Sequence, residues 1–362
     1  MINFWKKLKK PFFCLAPMSD VTDIAFRRIL AKYSKNRENK DSVVFWTEFV
    51  STDGLCNKLA KKKLSHILKY SEAERPIVAQ VFGANPENME KACRYIASLG
   101  FDGIDINMGC PDKSVVAQGA GAGLIKTPEL ARKIIQAAHT GIKSAGSHIP
   151  VSVKTRIGFN KEEIDTWIPE LLKENISALT IHLRTSKELS LVPANWDYIK
   201  KIKEFIKKSG KNILLIGNGD VKDLKDAEEK ALKYGCDGIM IGRGVFGNPW
   251  VFNKRSSPEF FNPEGLTVTL SGTAKGAGAK NLRGQSEKDL IEEKLNVLIE
   301  HTQIFDKELA KPKHKSFAVM KKHFKAYVND FPGAKELRAK LMETNNSKEV
   351  EKIIEHFLKT KN

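Results

Sequence analysis

One cysteine stands where a parallel α/β protein usually carries out its chemistry. Cys110 follows the apolar run 103–106, which predicts a short buried strand, and the glycine-rich turn 119–123 comes soon after it. A thiol at the carboxyl end of a strand lies where such proteins usually carry out chemistry, whereas most free cysteines are small buried hydrophobes. Position alone leaves both interpretations open.

Other residues with reactive or polar side chains share this kind of position. A single lysine or histidine at a strand end is usually a solvated rim residue, but many at one rim indicate a site, because strand ends in a barrel converge on one mouth. Eight residues lie at or just after the carboxyl ends of predicted strands: Met18, Gln80, Asn107, Cys110, Lys154, His182, Asn218 and Arg243.

Two glycine-rich loops, at 216–220 and 241–247, follow the last two predicted strands. Barrels bind phosphate at these loops, because small residues leave backbone N–H groups accessible there. Arg243 adds a fixed positive charge. Glycines that only make tight turns are the alternative, and the pairing of the two loops favours phosphate binding.

The elements that would position these residues repeat along the first two thirds of the chain. The near-continuous apolar runs are typical of parallel strands covered on both faces, and helical patterns separate most of them. Eight such units predict a (β/α)8 TIM barrel within an α/β fold. A doubly wound open sheet is the alternative, but no GxGxxG follows the first strand. The predicted strands are 11–16, 43–46, 77–81, 103–106, 151–154, 178–182, 213–217 and 238–241.

Composition limits the class of protein and its partners. The 362 residues carry a net charge of +18, which favours a polyanionic partner such as nucleic acid, although a generally lysine-rich proteome would give the same value. The five cysteines are scattered, odd in number and without zinc-binding spacing, so we expect no metal site and a reducing cytoplasm. No apolar run approaches a membrane span, the amino-terminal residues lack the apolar segment of a signal peptide, and no obligate protein partner is expected.

The carboxyl-terminal third has a different pattern. Residues 254–287 are rich in Gly, Ser, Lys and Asn and predict a flexible linker between a catalytic domain, 1–253, and a helical domain, 288–362. Between residues 307 and 340 there are ten Lys and Arg against three Asp and Glu. A shared helical face there suits RNA phosphates, and a solvated lysine face is the alternative. The predicted RNA-binding residues are Lys321, Lys322, Lys325 and Arg338.

The sequence resembles the tRNA-dihydrouridine synthases over nearly its whole length except 254–287. The matching segments include LAPMSDVTDIAFR, FDGIDINMGCPDKSVVAQGAGAGL, PVSVKTRIGF, LTIHLRT and DGIMIGRGVFGNPW, and MKKHFKAYVNDFPGAKELRAKL resembles the family's helical RNA-binding domain. The resemblance implies an FMN enzyme that reduces uridine in tRNA to 5,6-dihydrouridine, with NADPH as the electron source.

The resemblance also implies a role for each predicted site residue. Cys110 matches the residue that donates a proton to C5 of uracil, so its thiol should stay protonated until needed. Lys154 would stabilise negative charge on the reduced flavin. The implied cofactor contacts are Pro17, Met18 and Ser19 in the first loop, Gln80, Asn107, Lys154 and His182 around the ring, and Asn218, Gly219, Asp220, Gly242 and Arg243 at the ribityl phosphate.

One segment departs from the family pattern. After His182 the family more often has Gly-Arg-Thr-Arg, whereas this chain has Leu183-Arg-Thr-Ser186. The second arginine is therefore absent, which puts its substrate role in doubt here.

Two other functions fit parts of the sequence. A flavin barrel that acts on a free pyrimidine would keep the phosphate loops but would give no purpose to the basic helical domain. A tRNA-binding protein that has lost catalysis would not need Cys110, Lys154 and both glycine-rich loops.

Overall fold

The computed structural model describes residues 3–36, 39, 41–253 and 286–360. Contacts divide the chain into two compact units, one of Met1–Asp23 with Glu38–Gly244 and one of Ile24–Arg37 with Val245–Asn362. The predicted linker 254–287 lies outside the described residues as far as position 285. The domain boundaries derived from the sequence stay a prediction.

The first unit is a closed parallel barrel, as predicted. Eight strands pair in a ring, which the pairing of β2 with β4 closes, and the two-residue β3 adds to β4 outside the ring. The strands are β1 Phe12–Leu15, β2 Val43–Trp46, β3 Val50–Ser51, β4 Ile77–Phe82, β5 Gly103–Met108, β6 Val151–Arg156, β7 Ala178–His182, β8 Leu214–Asn218 and β9 Gly238–Ile241.

Helices follow the strands as the apolar periodicity predicts. Those of the first unit are α2 Thr52–Cys56, α3 Lys58–Leu64, α4 Pro86–Ser98, α5 Lys113–Ala117, α6 Pro128–Ser144, α7 Ile164–Leu172, α8 Tyr198–Lys208 and α9 Leu224–Tyr234. The principal difference from prediction lies at the strand ends. β5 and β6 each extend two residues further, so Asn107 lies within a strand rather than after it, and Lys154 lies inside β6 rather than at its last position.

An amino-terminal turn, Phe4–Lys7, fills the amino end of the barrel. Trp5 is buried against Phe12, the first residue of β1, with ring centroids 5.7 Å apart, and against Trp46 at 5.9 Å. Because this apolar plug sits among the first residues of the strands, polar groups are left to the opposite, carboxyl end.

The second unit is helical. Its helices are α1 Ile24–Ser34, α10 Glu287–Phe305, α11 Lys321–Tyr327, α12 Ala334–Met342 and α13 Ser347–Thr360. A capping box begins α10, because the Ser286 hydroxyl accepts from the Asp289 N–H at 3.2 Å and the Asp289 carboxylate accepts from the Ser286 N–H at 2.9 Å. α1, which follows the first barrel strand in sequence, packs into the core of this unit through Ile24 and Ile29. No helix of the described residues has the length and apolarity of a membrane-spanning segment.

Two histidines are buried together in this helical core. His301 and His323 are fully inaccessible, with ring centroids 4.7 Å apart, and none of their ring nitrogens has a hydrogen-bond partner in the part of the chain that the structure describes. Phe26 packs on both rings, and the buried Tyr327 lies 5.9 Å from His301. Burial lowers the pKa of His301 to about 3 and holds the pKa of His323 well below its ordinary value. Both rings are therefore neutral at physiological pH.

The free energy of unfolding should fall as the pH decreases below about 6.5, the ordinary pKa of histidine. Histidines of the unfolded chain take up protons in this pH range, whereas the buried rings do not. His301 alone therefore lowers the free energy of unfolding by about 1.4 kcal/mol for each pH unit of acidification, until its folded pKa is reached. Urea unfolding at pH 7, 6 and 5 should give a weaker pH dependence for His301→Leu than for the parent. His356→Leu, at an exposed position on α13, is the control. Equal pH dependence in parent and His301→Leu would show that the buried ring is not its source.

Candidate active site at the barrel mouth

A chain of buried hydrogen bonds runs through the barrel interior towards Cys110. Asp105 on β5 accepts from the Gln80 amide at 2.7 Å and from the Ser152 hydroxyl at 2.6 Å. The Gln80 carbonyl oxygen accepts from the Asn107 amide at 3.0 Å. Burial raises the pKa of Asp105 to about 6, although both hydrogen bonds oppose the shift, so the carboxylate is mostly ionised at neutral pH. The network fixes the orientation of the Asn107 side chain.

The Asn107 side chain in turn holds the loop that carries Cys110. Its oxygen accepts from the backbone N–H groups of Gly109, at 3.1 Å, and of Cys110, at 2.9 Å. The Arg156 guanidinium donates to the Gly109 carbonyl at 2.8 Å from the other side. Side chains from two adjacent strands therefore fix the backbone on which the thiol stands.

The glycine-rich turn completes this attachment. The Ala122 N–H donates to the Cys110 carbonyl at 2.9 Å. Gly121 has a φ of +56°, and a Cβ there would lie 2.8 Å from the same carbonyl oxygen. Only glycine meets both requirements, which explains why the sequence becomes glycine-rich at this point.

The thiol itself is poised as an acid rather than as a nucleophile. Cys110 is half-buried, and this burial raises its pKa, an effect that the backbone N–H of Asp112 and the charges of Arg156 and Lys154 only partly oppose. The thiol is therefore protonated at neutral pH, as a proton donor must be.

Lys154 in the carboxyl half of β6 and His182 at the end of β7 provide two further nitrogen groups. Lys154 forms no hydrogen bond or ion pair with any described residue, and burial together with Arg156 lowers its pKa to about 8. Burial also holds the pKa of His182 well below its ordinary range, so its imidazole is neutral. An unpaired, half-buried ammonium group in a barrel mouth fits a bound group that carries negative charge.

The two predicted phosphate loops pack against each other. Gly244 approaches the backbone of Lys222 so closely that a Cβ would lie 2.2 Å from its carbonyl oxygen. Asp220 accepts from Arg184 and, at 2.9 Å, from Arg243. The Arg243 side chain is otherwise largely exposed. Asp220 thus orients Arg243, and the loops present small residues and one cation, as phosphate binding requires.

The first loop supplies less polar surface. Met18 is half-buried and its backbone N–H donates to the Thr22 hydroxyl at 2.9 Å, while Pro17 is half-buried and Ser19 exposed. A Cβ on Gly242 would lie 3.8 Å from the Met18 sulfur, so the loop after β1 borders the loop after β9. The predicted residues of the first unit therefore belong to one end of the barrel.

Comparison with known proteins decides the family. The sequence model of the family described as Dihydrouridine synthase (Dus) matches residues 14–362. The chain belongs to the dihydrouridine synthase family. A probable tRNA-dihydrouridine synthase of Staphylococcus aureus (strain COL) is 38% identical over 98% of this chain and 95% of its own length. Probable tRNA-dihydrouridine synthase 2 of Bacillus subtilis (strain 168) is 37% identical over 98% of this chain and 96% of its own length. The predicted resemblance is confirmed.

Among solved structures, histamine dehydrogenase from Rhizobium sp. 4-9 is similar to this chain at 14% identity and a TM-score of 0.48, over 69% of this chain and 47% of its own. That similarity is too low to assign a function to this dihydrouridine synthase family member.

The predicted RNA-binding residues of this family member lie in its helical unit. Lys322 and Lys325 on α11 are exposed and Lys321 is half-buried, so the shared face predicted from their spacing is present. Arg338 on α12 is half-buried and donates to the Val328 carbonyl at 3.0 Å. The aromatic and histidine residues interleaved with these lysines are buried, so only the lysines form the basic face.

Sequence reasoning missed three residues that organise the barrel mouth. The role of Asp105 could not be predicted, because the sequence around a carboxylate in an apolar strand does not show which side chains bind it. Arg156 and Arg184 each lie two residues after a predicted site residue. Arg156 donates to backbone carbonyls of two other loops, and Arg184 donates to the Val192 carbonyl within its own loop. Their charge in otherwise apolar surroundings was the available signal.

Proposed function

We propose that this chain reduces uridine in tRNA to 5,6-dihydrouridine with FMN as cofactor and NADPH as electron source. The observation that carries the proposal is that two groups occur at one barrel mouth. One is the protonated, half-buried thiol of Cys110, and the other is the ammonium group of Lys154, which forms no ion pair with a described residue. Family membership and the relatives' names support tRNA as the substrate. A tRNA substrate and five free cysteines support a cytoplasmic location.

The residues at the mouth fit a flavin mononucleotide. Lys154 would lie against the ring system and stabilise the negative charge of its reduced form, with Gln80 and Asn107 as neutral hydrogen-bonding groups and His182 nearby. The backbone of Asn218, Gly219 and Gly242, together with Arg243 oriented by Asp220, would hold the phosphate. Pro17, Met18 and Ser19 would form the wall at the first loop. Bound FMN supplies the hydride that adds to C6 of uracil.

Cys110 completes the reduction by donating its thiol proton to C5 of uracil. Once C6 has received hydride, negative charge builds at C5 and O4. An acid on the other face of the ring neutralises this charge by protonating C5. The raised pKa keeps the proton on the sulfur until then. Asn107 and Arg156 act as positioning residues, because they fix the backbone of the loop and not the substrate.

The test is a direct assay with the purified protein. The yellow protein should contain one FMN per chain, and with NADPH it should convert unmodified tRNA to a product that is two hydrogen atoms heavier at one or more uridines. Uridine monophosphate in place of tRNA should react far more slowly. Equal turnover of the free nucleotide would favour a pyrimidine reductase, and a protein that cannot bind FMN would overturn the proposal.

A further inference from the structure

The loop between β7 and α8 exposes an apolar cluster that the proposed chemistry does not use. Among the described residues five large hydrophobic side chains are exposed, and three of them lie in this one loop: Leu189 at 43%, Leu191 at 81% and Val192 at 40%. The other two, Leu59 and Leu232, stand singly on helices, which is ordinary for a soluble protein. Three in four consecutive residues form a patch that needs an explanation.

Two buried arginines hold this loop in place from below. Arg156 donates to the carbonyl oxygens of Thr185 at 3.0 Å and Leu189 at 3.1 Å, and Arg184 donates to the carbonyl of Val192. Glu188 accepts from the Thr185 N–H at 2.7 Å. Hydrogen bonds therefore hold the backbone that exposes these apolar side chains to solvent.

The backbone at Leu189 carries strain. Its φ is +53°, a left-handed conformation that is unfavourable for a residue with a Cβ. Such conformations persist where surrounding bonds fix them, often at sites of function. Here the bond from Arg156 to the Leu189 carbonyl provides that constraint.

The same arginines connect the apolar loop to the active site. Arg156 donates from Nε to the carbonyl of Gly109, the residue before Cys110, whereas its bonds to the apolar loop come from Nη1. Arg184 bonds to Asp220 and lies 3.3 Å from the His182 ring nitrogen. The Arg156 guanidinium bridges the apolar loop and the loop that carries Cys110. The apolar patch therefore lies on the rim of the mouth that the target base enters.

We propose that Leu189, Leu191 and Val192 contact the nucleobases next to the target uridine and replace the stacking that is lost when that uridine enters the barrel. The inference rests on the proposed function. A base must leave its stack to reach a buried site, and apolar side chains placed against the vacated base faces offset the unfavourable free energy of unstacking. Uncharged side chains on a rigid loop suit base faces and cannot bind phosphates, so this contact is distinct from the lysine face of the helical unit.

The test uses a triple variant of the FMN-loaded enzyme: Leu189→Asn, Leu191→Asn and Val192→Thr. Asn is similar in size to Leu and tolerates the left-handed backbone at 189, and Thr matches the shape of Val. The value of kcat/KM for tRNA should fall about 10- to 100-fold, as expected when unstacking is no longer offset. Flavin reduction by NADPH and the salt dependence of tRNA binding should be unchanged. Leu232→Asn removes an equally exposed leucine from α9 and should stay within about twofold of the parent.

A fluorescent base provides a readout that a merely structural role would not move. 2-Aminopurine placed beside the modified uridine, once the parent enzyme has identified that position, should brighten when the parent binds and remain dim with the triple variant. A variant that matches the parent in both turnover and fluorescence would overturn the inference while leaving the proposed function intact. Absence of dihydrouridine from the parent reaction would instead show that the proposed function has failed.

Discussion

Cys110→Ala should slow uridine reduction about 10²- to 10⁴-fold while FMN binding and the reduction of FMN by NADPH stay nearly unchanged. The loss is confined to one step, because the thiol is the proposed acid at C5 and its removal leaves in place the groups proposed to hold the flavin. Stopped-flow absorbance separates the two half-reactions, since NADPH bleaches the flavin and tRNA restores its colour. Only the second half-reaction should slow.

Two further measurements show whether the thiol acts as an acid. Cys56→Ala, which removes an exposed cysteine from α2, should react like the parent. The rate of the second half-reaction should decrease at alkaline pH as the Cys110 thiol ionises, and the raised pKa places that decrease above the ordinary range of a thiol. Full turnover of tRNA by Cys110→Ala would remove Cys110 from the mechanism.

Replacing Lys321, Lys322 and Lys325 together by alanine should raise KM for tRNA and flatten the plot of log K against log salt by about two to three units. Each lysine that neutralises a phosphate releases counterions, so its contribution to affinity is independent of sequence and decreases with salt. NADPH oxidation with a small artificial electron acceptor should be unchanged. Titrations of tRNA at three salt concentrations give the slope.

A matched variant separates local contact from net charge. Lys200, Lys203 and Lys207 are exposed on α8 of the barrel, and replacing them by alanine removes the same three charges. If α11 contacts phosphates, this control should change the salt slope much less than the α11 variant does. Parallel salt lines for the parent and the α11 variant would show that tRNA binds elsewhere.

The sequence determined the barrel and the position of its mouth. Strand identity was readable because a parallel strand covered on both faces must be apolar at nearly every position, and this signal is local. β1, β2, β4, β7, β8 and β9 end within one residue of the predicted positions. The position of Cys110 in a polar loop before a glycine-rich turn was visible for the same reason. The glycines at 119–123 show that backbone segments approach closely there, because only glycine fits. They do not show which segment approaches the turn.

The internal order of the candidate site was decided by tertiary structure alone. Asp105, Gln80 and Ser152 come from three neighbouring strands, and the register of those strands decides that their side chains meet. Arg156 is thirty-three residues from Leu189 and forty-seven from Gly109, yet it holds both. No local pattern records such a partnership, because a hydrogen bond depends on where the backbone places its acceptor.

Burial in the helical unit was equally beyond the sequence. His323, Phe324 and Tyr327 occur among lysines in a strongly basic segment, and residue type alone does not show which positions are exposed. In the structure those three are buried and the lysines are left to face water, because α1 and α10 pack on one side of α11. The sequence by itself determined that charge and aromatic groups occur together here. Only the packing of helices distant in sequence decided which of them face solvent, since a helix has two faces and its partner selects the one that is buried.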